Sequence, residues 1–176
     1  MKATYKIDPA HSSASFSVRH LMITNVKGSF SSMNGSVTFD PDDPGAASAD
    51  VIIDAASINT NEPQRDAHLK SADFLDVAVF PSIAFKGTKL ERSGGDEWNL
   101  TGDLTIHGVT KPVILHVEGP TPETKDPWGN VRIGASATTR IKRSDFGLTW
   151  NAALETGGFV VGEELKIEIE VSLIKA

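Results

Sequence analysis

The chain has 176 residues, a net charge of −6 from 17 basic and 23 acidic side chains, and no cysteine. It is long enough for a real hydrophobic core, and disulfides, thiolate metal sites and cysteine nucleophiles are excluded. Acids and bases are interspersed without the Lys/Arg stripe that a phosphate backbone requires, so nucleic acid is not an expected partner.

The opening MKATYKIDPAHSSASF lacks the apolar run of a secretory leader, and no later stretch is long and apolar enough to cross a bilayer. The expectation is a cytoplasmic chain that does not span a membrane. ASFSVRH (14–20) then alternates, with Ala14, Phe16 and Val18 on one face and Ser15, Ser17 and Arg19 on the other. VKGSF and GSVTFD follow as two strands about the turn-prone SSMNG. In DVIIDAASI (50–58) the apolar run thickens, as in a strand with both faces partly covered.

Helical punctuation occurs at 61–71. Asn61 with Gln64 makes a capping-box pattern, Pro63 suits the first turn, and Asp66 precedes Lys70 in the favourable order. Ser71 is placed to cap a second turn, SADFLD, that aims Phe74 at the body. The charges of RDAHLKSADFLD (65–76) invite a metal reading, but Asp66 and His68 diverge on a helix and the cap at Ser71 separates His68 from Asp73. The favoured reading has Leu69 and Phe74 plugging one end of a β structure while Arg65, Asp66 and His68 tie the helix to neighbouring loops.

SIAFKGTKLER and EWNLTGDLTIHG straddle the turn Ser93–Gly94–Gly95–Asp96. PVILHVEG sets Val113, Leu115 and Val117 against Ile114 and His116. NVRIGASATTRIK (130–142) and EELKIEIEVSLIK (163–175) complete about eight strands, the last with Leu165, Ile167, Ile169, Val171 and Leu173 inward. Pro and Gly gather in two loops, 40–48 and 119–130, neither long enough for a linker. Residues 1–176 therefore read as one all-β domain, a closed barrel or a sandwich.

Chemistry-bearing patterns are weak. His11, His20, His107 and His116 are dispersed, there is no GxSxG elbow, and Asp42/Asp43 and Glu163/Glu164 look like solvated charge. No catalytic residue, metal ligand or cofactor is assigned. Inward apolar residues are plentiful, and the pattern leaves open whether they fill a core or line a cavity.

Six motifs in order carry a resemblance: IDPAHSSASFSVRHL (7–21), VKGSFSSMNGSVTFD (26–40), SINTNEPQRDAHLKSADFLD (57–76), FPSIAF (80–85), LTGDLTIHGVTKPVIL (100–115) and RSDFGL (143–148). Together they resemble the YceI-like family from Tyr5 to Ile174. The resemblance implies a lipocalin-like, elongated antiparallel β-barrel of about eight strands with a short helical segment. Its apolar tunnel would hold a long-chain isoprenoid or similar amphiphilic lipid, such as an isoprenoid quinone tail. It supplies no catalytic set.

Alternation and motif position nominate Phe16, Val18, Phe30, Phe39, Ile53, Phe85, Leu104, Ile106 and Phe146 as lining residues. Arg19, His20, Asn59, Arg65, His68 and Arg143 are nominated for the mouth or a headgroup. The expected activity is non-enzymatic binding, storage or transport. The alternatives are an enzyme acting on an isoprenoid-like substrate and a structural or stress protein with a filled barrel. A homodimer is compatible with the sequence, C2 dimers being the commonest assembly.

Overall fold

Alternation becomes strand pairing along nearly the whole chain. The computed structural model describes residues 1–155 and 157–176. The strands are β1 (Ala3–Ile7), β2 (Ser13–His20), β3 (Thr24–Phe30), β4 (Met33–Phe39), β5 (Ser48–Asp54), β6 (Ile58–Asn59), β7 (Ser82–Gly94), β8 (Glu97–Ile106), β9 (Val109–Glu118), β10 (Thr124–Lys125), β11 (Val131–Lys142) and β12 (Val161–Lys175). One α-helix, α1 (Pro63–Lys70), lies between β6 and β7.

The early strands combine into longer staves. β1 and β2 run in one direction along the same edge of β12, interrupted by a 3-10 turn at Pro9–His11. β3 continues into β4 across Ser31 and Ser32, pairing first with β2 and then with β1. β5 and β6 follow as a third stave, broken at Ala55–Ser57. These three, with β7, β8, β9, β11 and β12, make a closed antiparallel barrel of 8 strands. Closure comes from the long β11–β12 ladder, Arg132↔Ile174 to Lys142↔Glu164. It leaves only short free edges.

Three details differ from the sequence expectation. Asn61 does not cap α1: its backbone is left-handed at φ 63°, whereas an N-cap needs an extended one. Glu62 is the cap, accepting hydrogen bonds from the amides of Gln64 and Arg65. Asp66 makes no ion pair with Lys70; its Oδ1 accepts instead from the Thr60 amide at 2.9 Å and hydroxyl at 2.6 Å. Ile52 is also 59% exposed, so β5 is covered on its inner face alone. Among the described residues nothing packs outside the barrel there.

After α1 the chain doubles back. Ser71 Oγ donates to the His68 carbonyl at 2.6 Å and accepts from the Asp73 amide at 3.3 Å. The Leu75 amide then donates to the Leu69 carbonyl at 3.0 Å, which brings Phe74 and Leu75 into the interior, both buried.

Charged groups fasten the other end. Arg132 donates to Asp126 at 2.7 Å and Asp8 at 2.6 Å, while Asp8 also meets His11 at 2.8 Å. Arg132 first and His11 second hold the Asp8 carboxyl down at about 2. The Asp126 carboxyl is lowered chiefly by Arg132. Nearby, the Tyr5 hydroxyl donates to Glu123 at 2.9 Å, and Lys175 reaches the same carboxylate at 2.7 Å. Burial first and Glu123 second push the Tyr5 phenol up to about 12.

Candidate functional site

Strand parity sends one row of side chains per stave inward, and these rows do not meet. They enclose a cavity of about 600 Å³, in the range of natural ligand pockets. Its wall is largely apolar and takes residues from every strand but β10, from α1 and from the loop after β11.

Small residues create part of the space. Along β11 the inward row is Ile133, Ala135, Ala137, Thr139 and Ile141, with two alanines at its centre. On β3, Gly28 lies beneath the Phe16 ring: a Cβ there would stand 2.5 Å from Phe16 Cζ and 2.9 Å from Thr60 Cγ2. Gly102 accommodates Phe85 in the same way, at 2.5 Å from its Cζ. Both rings can lie flat along the wall because the neighbouring strand offers no side chain.

The nominated lining residues Phe16, Val18, Phe30, Phe39, Ile53, Phe85, Leu104 and Ile106 all stand on this wall. Phe146 does not. It is 1% exposed and belongs to the packed cluster with Ile141, Leu148 and Leu75. It sits in a 3-10 turn, Arg143–Phe146, where strand alternation no longer assigns faces. Asn59 is also off the wall; its Oδ1 accepts from the Asn61 amide at 2.8 Å, which fixes the turn into α1.

The remaining polar nominations gather at one end, here termed the mouth. His20 pairs with Val161 at the start of β12, and Arg143 donates to the Val161 carbonyl at 3.3 Å. Arg143 also donates to the Trp150 carbonyl at 2.8 Å, and the Trp150 ring meets His68 edge-on at 4.7 Å. His68, Arg65, Gln64 and Glu62 come from α1, and Arg19 from β2. Arg65 is held by Thr60, through Nε to Oγ1 and Nη2 to the carbonyl, both at 2.8 Å.

Arg143 is 4% exposed and has no carboxylate in ion-pair range among the described residues. Its fork donates to the carbonyls of Gly162 and Leu148, each at 2.7 Å, besides Trp150 and Val161. Desolvation lowers its pKa, partly offset by Glu163. The guanidinium thus acts first as a clamp between the 147–150 segment and β12, and it leaves positive charge beside an apolar space.

His68 and Asp73 do converge, contrary to the spacing argument: Nε2 lies 2.8 Å from Oδ2. The turn capped by Ser71 folds Asp73 back over the helix end. His68 is further sandwiched edge-on by Phe74 at 5.1 Å and Trp150 at 4.7 Å. Among the described residues no three His, Asp or Glu side chains are arranged to hold a metal ion.

Several wall residues escaped the sequence reading. Ala135, Ala137 and Thr139 were legible in the alternation of β11, although small residues draw little notice. Trp98, whose Nε1 donates to the Gly119 carbonyl at 2.8 Å, meets Phe39 edge-on at 6.2 Å and narrows the end away from the mouth. Trp150 lies in a loop with no period to betray it.

The profile of the YceI-like domain matches residues 5–173. Protein YceI of Salmonella newport is 42% identical over 149 residues, 84% of this chain and 77% of that protein. A UPF0312 protein of Vibrio cholerae is 38% identical over 148 residues, 83% of this chain and 78% of that one. The crystal structure of the Campylobacter jejuni YCEI protein superposes with a TM-score of 0.73 at 34% identity, covering 90% of each chain. The fold also matches a polyisoprenoid binding domain from Saccharophagus degradans, with a TM-score of 0.71, 15% identity and all of both chains covered. With the profile spanning both barrel ends and the cavity between them, the chain belongs to the YceI-like family.

Proposed function

We propose that the barrel binds one long-chain isoprenoid or comparable amphiphilic lipid, as a non-enzymatic carrier or reservoir. The observation that carries this reading is the largely apolar cavity of about 600 Å³ running through a closed barrel. Each CH₂ transferred from water into such a space gains about 0.8 kcal/mol before association costs, so a long tail needs few polar contacts. The relative from Saccharophagus degradans is described as a polyisoprenoid binding domain, which supports the class of ligand.

The tail would lie along Phe16, Phe30, Ile53, Phe85 and Leu104, with its end toward Phe39 and Trp98. The headgroup would stay at the mouth, near His20, Arg65, His68 and Arg143, where hydrogen-bond donors favour an electronegative group such as a quinone carbonyl or a phosphate. Native mass spectrometry before and after organic extraction tests this. The expected result is one lipid per chain, removed by extraction, with Ala137→Trp retaining a shorter lipid or none. A purified protein that carries no lipid and takes up no isoprenoid quinone would refute it.

A further inference from the structure

The turn after β2 reads Leu21–Met22–Ile23, and these side chains are 38%, 62% and 70% exposed. Leu21 and Met22 both take left-handed backbone, φ 52° and 59°, which turns their side chains out at the tip. A second tip, the loop before β12, closes through a bridge between Ala153 and Phe159 and exposes 58% of Phe159. The tips adjoin: the Leu21 amide donates to the Val160 carbonyl at 2.8 Å, and the Met22 sulfur packs over Gly158. Four large apolar side chains therefore share one projecting surface, more than scattered exposure explains.

That surface borders the mouth. His20 immediately precedes Leu21, and Val160 and Val161 follow Phe159; all three line the cavity. Below the tips stand Arg19, at the rim of the mouth, and Lys27 and Lys142 on the outer faces, all exposed. Arg19 and Lys27 lie on the paired strands β2 and β3, and none of the three joins an ion pair among the described residues. Glu164 pairs with Arg140 at 2.6 Å, while Glu163 accepts from the Ser144 amide at 3.0 Å and keeps its charge near Lys142. An apolar tip backed by Arg19 and Lys27 is the pattern of an interfacial anchor, and it stands out in a chain of net charge −6.

We propose that the turn Leu21–Ile23 and the neighbouring Phe159 dock the barrel, mouth first, on an anionic lipid bilayer. Insertion of Met22, Ile23 and Phe159 places the rim of the cavity at the acyl boundary. A tail can then pass between bilayer and barrel without crossing water, a saving of about fourfold in equilibrium for every CH₂ kept out of it. Docking rests on the tips themselves. It gives the lipid-cargo reading a route, and the two fail separately.

The test is flotation of the purified protein with phosphatidylcholine vesicles, with and without phosphatidylglycerol. Wild type is expected to float with the anionic vesicles and to be released by salt. The variant Met22→Ser/Ile23→Ser/Phe159→Ser should lose vesicle partition by on the order of tenfold or more, with an unchanged far-ultraviolet spectrum and unchanged lipid in native mass spectra. Lys27→Gln should cost about fivefold, and only on anionic vesicles. Absence of flotation on the anionic vesicles, or wild-type flotation by the triple variant, overturns the proposal. So does a triple variant that turns a dimer into a monomer while its flotation is unchanged, since the patch then belongs to a second copy. Lipid found in the barrel without flotation would sink docking and leave cargo binding standing.

Discussion

The two ends of the barrel are held by different physics. The far end is fastened by charges on partly exposed side chains, Arg132 to Asp8 and Asp126, and Lys175 with Tyr5 to Glu123. The mouth is held by a buried guanidinium that donates only to backbone carbonyls, and by the edge-on stack of His68, Phe74 and Trp150. Charge pairs tolerate water and suit an end that stays shut. Carbonyl clamps and aromatic edges keep cation and apolar surface together, as a mouth that admits an amphiphile requires.

The strongest test of this contrast is Arg143→Leu, which strands four carbonyls, that of Leu148 buried and the others part-buried. It should cost about 3–5 kcal/mol in urea unfolding. Arg143→Lys should recover little of that, because one ammonium cannot span the same fork. Arg132→Leu should cost visibly less; an equal loss would erase the distinction between the ends. Gly28→Val comes next, at about 1–3 kcal/mol, because the new side chain displaces the Phe16 ring toward the cavity. Native mass spectra should then show a shorter bound lipid.

Acid should act selectively. The Asp8 and Asp126 carboxyls are lowered in the fold, so their stabilisation is present above the ordinary carboxylate range, about pH 4, and is lost as pH falls toward 2. Amide exchange over that window should accelerate first around β1, the 126–132 segment and the end of β12. Trp128→Ser closes the series. Trp128 is 81% exposed on the far-end loop, so its removal should change stability by less than about 0.5 kcal/mol.

Most of the barrel was legible because alternation is a direct imprint of inward and outward rows. β12 shows this best, its five apolar residues from Leu165 to Leu173 all reaching the wall. The lining aromatics on strands were readable for the same reason. Phe146 was not, since its 3-10 turn obeys no period of two. Arg143 was nominated for a headgroup, yet four carbonyls from the 148–162 segment engage it, and no local pattern reports such a clamp. The His68–Asp73 contact was hidden because helical spacing says nothing once Ser71 turns the chain. Whether the interior was full or hollow depended on Ala135, Ala137 and the glycines beneath Phe16 and Phe85, whose meaning appears only when strands are set side by side.

The breaks in the three early staves fall at one height. Pro9–His11, Ser31–Ser32 and Ala55–Ser57 lie side by side, and side-chain hydroxyls bridge the gap: Ser12 Oγ receives the Ser172 amide at 3.0 Å and Ser57 Oγ the Ser32 amide at 3.2 Å. On this flank the wall is two collars joined by those hydroxyls and by a few backbone bonds, Ser31 amide to Ser57 carbonyl at 3.3 Å and Asp54 amide to Ser32 carbonyl at 3.0 Å. Widening the upper collar strains those few bonds and leaves the ladders of the lower collar intact.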